Sequence, residues 1–196
     1  LVAPSPGSGA QAALPDLVRL DDLLHGPTRD LEAMRALWAT KAVRGPIAVT
    51  AQGPFVLDLA EQGPHALVAG APGSGKSEFL RTAVTSLAAN ADPESVSFVF
   101  IDYKGDSSFR VLKGLPHCVG FVTDLDESGA ARALVSFGAE VKRRSELITV
   151  RAAADDIDGY RAYRRRHPDL PPLPRLIIMV DEFARLKQNM PEFING

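Results

Sequence analysis

The sequence predicts an α/β fold with a mostly parallel sheet, and three observations carry that prediction. Short apolar strand candidates alternate with helix-like segments along most of the 196 residues; strands separated by helical crossovers pair in parallel, with right-handed connections. The run Leu176-Ile177-Ile178-Met179-Val180 is continuously apolar, as a strand buried on both faces must be. Gly70-Ala71-Pro72-Gly73-Ser74-Gly75-Lys76-Ser77 lies between an apolar run, Ala66-Leu67-Val68-Ala69, and a helix-like stretch from Glu78 to Ala88. It fits the phosphate-loop pattern G-x-x-x-x-G-K-[ST] without substitution.

In chain order, residues 1–13 are mostly Ala, Pro, Gly and Ser and read as a flexible linker. Leu17, Val18, Leu20, Leu23 and Leu24 give a short apolar-faced segment. A helix is expected from about Arg29 to Lys41, capped by Thr28, with Leu31, Met34, Leu37 and Trp38 at helical spacing. Trp38 reads as a packing anchor. Ile47-Ala48-Val49 and Phe55-Val56-Leu57-Asp58-Leu59 flank Gln52-Gly53-Pro54 and suggest a hairpin. Residues 14–62 therefore read as an N-terminal extension and residues 63–196 as the nucleotide-binding domain. Within the latter the pattern predicts a strand at Ala66–Ala69, a helix over 76–89, a strand over 96–102 and, after a further helix, a strand near 118–122. Helices over 128–149 and 155–166 follow, then a strand over 175–180.

Hydrophobic content of 45% and charged content of 23% are those of a globular protein. A net charge of −2 gives no global attraction to nucleic acid, so any such contact needs a local basic patch. The single cysteine, Cys118, excludes an internal disulfide framework and fits a reducing compartment. Following His117 in an apolar stretch, it reads as a small buried side chain. No apolar run approaches the roughly 20 residues that cross a bilayer, and the first residues lack a signal-peptide pattern. Leu1 in place of methionine suggests a segment of a longer protein.

The phosphate loop sets the chemistry. Its glycines let successive amide N–H groups converge on a β-phosphate, and the following helix adds the partial positive charge of its N-terminus. Lys76 would span the β- and γ-phosphates and the Ser77 hydroxyl would bind Mg²⁺. The nucleotide-binding set is Gly70, Ala71, Pro72, Gly73, Ser74, Gly75, Lys76 and Ser77, with Glu78 beside them. At the end of the apolar run 176–180, Asp181 would hold the metal shell with Ser77, and Glu182 would orient and deprotonate the attacking water. The Asp-Glu doublet favours hydrolysis over transfer to another substrate. Asp102-Tyr103-Lys104-Gly105-Asp106 lies at the carboxyl end of another strand, where ligands bind open α/β sheets. Asp102 and Lys104 either reach the γ-phosphate region or a neighbouring subunit, or form a polar turn closed by Gly105. Lys142-Arg143-Arg144 and Arg161 with Arg164-Arg165-Arg166 either line a DNA-facing pore or are solvated faces, given the interspersed Glu140, Glu146, Asp155, Asp156 and Asp158.

These residues resemble the actinobacterial FtsK/SpoIIIE-type ATPases, including the EccC motors of type VII secretion, from Leu14 to the end of the chain. The resemblance rests on Leu14-Pro15-Asp16, Gly63-Pro64-His65-Ala66-Leu67-Val68 leading into the phosphate loop, Asp102-Tyr103-Lys104-Gly105, Leu115-Pro116-His117, Thr123-Asp124-Leu125, Glu140-Val141-Lys142-Arg143-Arg144, and Pro172-Leu173-Pro174-Arg175 leading into Asp181-Glu182-Phe183. The first ATPase module of such motors is the nearest in pattern. The resemblance implies a RecA-like P-loop fold built as a three-layer sandwich, ATP and Mg²⁺ as cofactors, ATP hydrolysis, and assembly into a ring, a hexamer, with composite sites between subunits. It implies a catalytic role for Arg132, as a finger inserted into a neighbour's γ-phosphate site; the competing reading is a solvated helix arginine. It also implies adjacent ATPase modules in the same parent chain and a cytoplasmic location at the inner face of a membrane complex. The cargo is a secreted protein, or duplex DNA in the alternative of a chromosome-segregation or conjugation translocase. A third alternative is a regulatory module that binds ATP without hydrolysing it. Two departures stand out. Family members commonly carry Gly-Gly where this chain has Gly105-Asp106, and the family's next strand, with its polar sensor residue, has no counterpart before Gly196. Nucleotide binding with weak or absent hydrolysis is therefore expected of this segment alone.

Overall fold

The computed structural model describes residues 14–24, 30–102, 108–123 and 127–189, without the side chains of 127, 128, 130, 131 and 189. The expected linker 1–13, the Thr28 cap and the segment Tyr103, Lys104, Gly105 and Asp106 lie outside the described residues. Among the described residues, six α-helices and five strands follow one another: α1 (Leu20–Leu23), α2 (Leu31–Ala39), β1 (Arg44–Thr50), β2 (Gly53–Asp58), α3 (Lys76–Asn90), β3 (Val96–Asp102), β4 (Cys118–Thr123), α4 (Glu127–Ser145), α5 (Ile157–Arg164), β5 (Arg175–Asp181) and α6 (Phe183–Asn189). A turn of wider π-helix, Glu146–Arg151, continues α4.

β3, β4 and β5 form a parallel sheet in the order β4-β3-β5. Every residue of β3 is buried, because helices cover both faces and the alternating side chains of the strand feed two cores. On one face Phe98 and Phe100 pack with Val84, Leu87 and Ala88 of α3, Phe109, and Ile177 of β5. On the other, Val99 and Ile101 pack with Leu186 of α6, Ala133, Leu134 and Phe137 of α4, and Ile178 of β5. The result is the three-layer RecA-like P-loop architecture.

The antiparallel hairpin β1–β2 is where Gln52-Gly53-Pro54 puts it. Together with α2 it packs on α3: Ser86 Oγ of α3 donates to Pro46 O at 2.7 Å, and Trp38 Nε1 donates to Ala88 O at 3.0 Å. Trp38 is thus the expected packing anchor. It meets the ring of His117 edge-on at 5.7 Å, and His117 Nε2 lies 2.7 Å from Ala91 O. Burial holds the His117 pKa below the usual histidine value. Among the described residues, the cap of α2 is Asp30, which accepts from the Glu32 N–H at 2.9 Å.

Two elements differ from expectation. In place of the helix expected between β3 and β4, the described residues there form only a single 3-10 turn, Arg110–Leu112, which seats Leu112 in the core. Ala66–Ala69 was expected as a strand, but residues 65–71 carry no strand ladder. The ladder ends at β5, and nothing described pairs with these four residues. Ala66, Leu67 and Ala69 are exposed, Leu67 at 79%. A sequence pattern reports which residues would suit a strand; a ladder needs a neighbour.

Candidate functional site

Gly73 (φ 77°) and Gly75 (φ 88°) adopt left-handed backbone that side chains disfavour. A Cβ on Gly70 would approach Ser74 Oγ to 2.5 Å, so a larger residue there would require the serine side chain to turn away. The turn delivers the chain into α3 with Gly75 at the N-cap and no side chain capping the first turn. The N–H groups of that turn, with the helix dipole behind them, are the donors an anion requires. The Lys76 ammonium donates to the loop's own carbonyls, Gly70 O at 2.7 Å and Ala71 O at 3.0 Å, which holds it over the loop. Glu78 is exposed and paired with Arg81 at 2.7 Å.

The parallel sheet brings two acids to the same end, with Asp102 of β3 in register with Asp181 of β5. Both are buried. The Ser77 hydroxyl, at the start of α3, donates to Asp181 Oδ2 at 3.3 Å across 104 residues. Asp102 Oδ2 accepts from the Ser108 N–H at 3.0 Å, so its carboxylate has a partner inside the chain. Glu182 follows directly, with φ 72°. A non-glycine residue in that region is strained, and such strain clusters at functional sites. Its carbonyl accepts from Arg185 N at 3.0 Å and starts α6. Arg132 lies on α4 with an exposed side chain, whereas its neighbours Ala133 and Leu134 pack on the sheet.

Ser108 is a site residue that sequence reasoning misses. Its hydroxyl donates to Asp181 Oδ2 and stands 3.4 Å from Ser77 Oγ, and its carbonyl accepts from Arg81 Nε at 2.6 Å. A serine in a loop is unremarkable as a pattern; its position six residues after Asp102 was the sole hint.

Four residues of the basic stretches pair within the chain, while Lys142, Arg165 and Arg166 are exposed. Arg143 and Arg144 both bind Glu140, at 2.7 and 2.8 Å, and Arg144 also donates to Pro174 O. Arg161 donates to Ser95 O at 2.6 Å, and Arg164 to Leu170 O at 2.9 Å. Cys118 is half-buried, with burial pushing its thiol pKa up, which suits packing and not nucleophilic chemistry.

A glycine-built phosphate loop opening a helix, with its serine set against an acid at a strand end, defines a P-loop nucleotide-binding domain of the RecA-like class. The FtsK/SpoIIIE family model matches residues 31–195, and the chain belongs to that family. It is 39% identical over 160 residues to the ESX secretion system protein EccC of Geobacillus thermodenitrificans, covering 79% of this chain and 11% of that protein. It is also 39% identical over 160 residues to the type VII secretion system protein EssC of Staphylococcus aureus, covering 79% of this chain and 10% of that protein. The chain thus spans about a tenth of the curated relatives it matches. The solved cytoplasmic domain of the Thermomonospora curvata type VII secretion ATPase EccC superposes with a TM-score of 0.81 at 35% identity, over 91% of this chain and 22% of that one. ATPases 2 and 3 of the same protein, in complex with a signal sequence peptide, superpose less closely, with a TM-score of 0.66 at 26% identity over 79% of this chain and 29% of that one. The chain is therefore an FtsK/SpoIIIE-type domain homologous to the motor ATPase modules of type VII secretion. Among the described residues no helix is long and apolar enough to cross a membrane.

Proposed function

We propose that this domain binds and hydrolyses ATP with Mg²⁺, as a motor module that powers type VII protein secretion from the cytoplasmic face of a membrane complex. The observation that carries the reading is the meeting of Ser77 with Asp181 at 3.3 Å. Two oxygens from the ends of two elements, one following a phosphate loop, are the donor set a hard divalent cation takes. The residues present fit both groups. N–H groups of the loop, Pro72 having none, and of the first turn of α3 would hold the β-phosphate, Lys76 would leave Gly70 O and Ala71 O for the phosphates, and Glu78 and Asp102 would lie beside the nucleotide. Magnesium, when bound, offsets the charge of the phosphate oxygens. Glu182 positions water and takes its proton.

In a ring of copies, a hexamer in this reading, the exposed Arg132 of one subunit completes the site of the next. The module would work beside further ATPase modules of a longer parent. The homologue solved with a signal sequence peptide favours a protein cargo. The internal pairing of Arg143, Arg144, Arg161 and Arg164 weighs against a duplex-DNA pore, for which affinity would fall steeply with salt.

The test is turnover in the full parent protein with Glu182→Gln. Bound ATP with hydrolysis reduced on the order of 100-fold or more is expected. Undiminished turnover would remove Glu182 as the base, and no ATP uptake by the unmodified protein would remove the whole reading. Absent turnover in the unmodified parent, with ATP bound, would favour the regulatory alternative. Arg132→Ala should bind ATP normally and lose the activity that depends on assembly.

A further inference from the structure

We propose that Ser108 is a positioning residue of the cation site, holding the Asp181 carboxylate against Ser77 so that both turn oxygen towards one divalent ion. The inference rests on the reading of Ser77 and Asp181 as the magnesium pair. Ser108 is buried, 4% exposed, and its backbone is fixed from two sides. The Asp102 carboxylate at the end of β3 takes its N–H, and Arg81 on α3 holds its carbonyl. From this anchored position the hydroxyl donates to Asp181 Oδ2.

That same oxygen accepts from Ser77, whose hydroxyl lies 3.4 Å from that of Ser108. Each hydroxyl has a single proton and two lone pairs. For Ser77 to give a lone pair to a cation, its proton must go to another acceptor, and Asp181 Oδ2 is that acceptor. Ser108 keeps this oxygen where Ser77 reaches it. Magnesium demands near-ideal octahedral geometry, so a carboxylate free to turn would hold it less well. Ser108 also ties together the three elements that bear the site: α3 through Arg81, β3 through Asp102 and β5 through Asp181.

The experiment is calorimetric titration of ATP into the full chain, once in magnesium chloride and once in EDTA. Loss of one hydrogen bond to a charged group predicts that Ser108→Ala weakens Mg-ATP binding about tenfold and changes binding in EDTA by less than about twofold. Ser108→Thr, which keeps the hydroxyl, should restore Mg-ATP binding to within about threefold of the unmodified chain. If the alanine variant does not fold, Ser108→Cys, with its poor donor, replaces it and should weaken Mg-ATP binding selectively. Unchanged Mg-ATP affinity in the alanine variant, equal losses in both buffers, or a threonine variant as weak as alanine would overturn the proposal. If the unmodified chain gains no affinity from magnesium, the reading of Ser77 and Asp181 fails first; if it gains and the alanine variant gains equally, only the role of Ser108 fails.

Discussion

The two ends of α3 are built on opposite plans. At its N-terminus the backbone is bare: a left-handed glycine stands at the cap, no side chain closes the first turn, and Lys76 is held only by the loop's own carbonyls. At its C-terminus the carbonyls of Ala88 and Ala91 are taken by Trp38 and His117, two rings that pack edge-on against each other. Helix ends leave four N–H groups and four carbonyls without intrahelical partners. At its last turn this helix hands Ala88 O, and the C-cap Ala91 O beyond it, to side chains of the protein, while the first turn is left uncapped by side chains. One end is an anchor, the other an open set of donors, and the same fifteen residues hold that donor set at a fixed distance from the core.

The sharpest way to break this contrast is Lys76→Ala. Removing a charged donor from the open end should weaken ATP binding by about 3 kcal/mol or more, on the order of 100-fold, with little change in thermal midpoint; calorimetry and a melting curve read both. A variant that kept its ATP affinity would mean that this end is not the working one. Trp38→Ala attacks the anchor. It should cost about 3 kcal/mol of stability and lower the melting temperature by about 6–12 °C, while ATP affinity in the folded protein stays within about threefold. Loss of affinity matching that of the lysine variant would show that the two ends are not separate.

His117 sharpens the anchor further. Burial holds its folded pKa below the usual value, so below about pH 6.5 the unfolded chain takes up a proton that the folded chain refuses. Stability is then fully present above that pH and declines as pH falls towards the folded pKa, and His117→Asn should flatten this limb of a urea midpoint-against-pH curve. The smallest effect is expected away from both ends. The Arg143 guanidinium, together with Arg144, holds the Glu140 carboxyl below the usual carboxylate range. That stabilisation is present above about pH 4.3 and lost as pH falls through the folded pKa. The pair is partly solvated, so Glu140→Gln should cost less than about 1 kcal/mol, measured by urea unfolding at neutral pH.

Much of this was legible because it is local. The loop from Gly70 to Ser77 is contiguous, and its glycines announce the backbone they permit. The apolar run ending at Asp181 reads as a strand buried on both faces; β5 packs into both cores, although of its apolar residues only Ile177 is fully buried. Trp38 was recognisable as an anchor from helical spacing alone. Ser108 was not, because nothing in its own neighbourhood distinguishes it. Its importance comes from β5 and α3, elements distant in the chain. Ala66–Ala69 misled for the converse reason: four apolar residues suit a strand, yet a ladder depends on a partner the segment itself cannot specify.

By itself, the sequence determined the phosphate loop, the alternation of strands and helices, and the acids at a strand end, since each is a property of consecutive residues and their periodicity. The tertiary structure alone decided that Ser77, Ser108, Asp102 and Asp181 share one corner, that α3 is fastened at its far end, and that Arg143, Arg144, Arg161 and Arg164 turn to the chain's own acids and carbonyls. Hydrogen-bond geometry acts over about 3 Å, and only folding brings residues a hundred positions apart within that range.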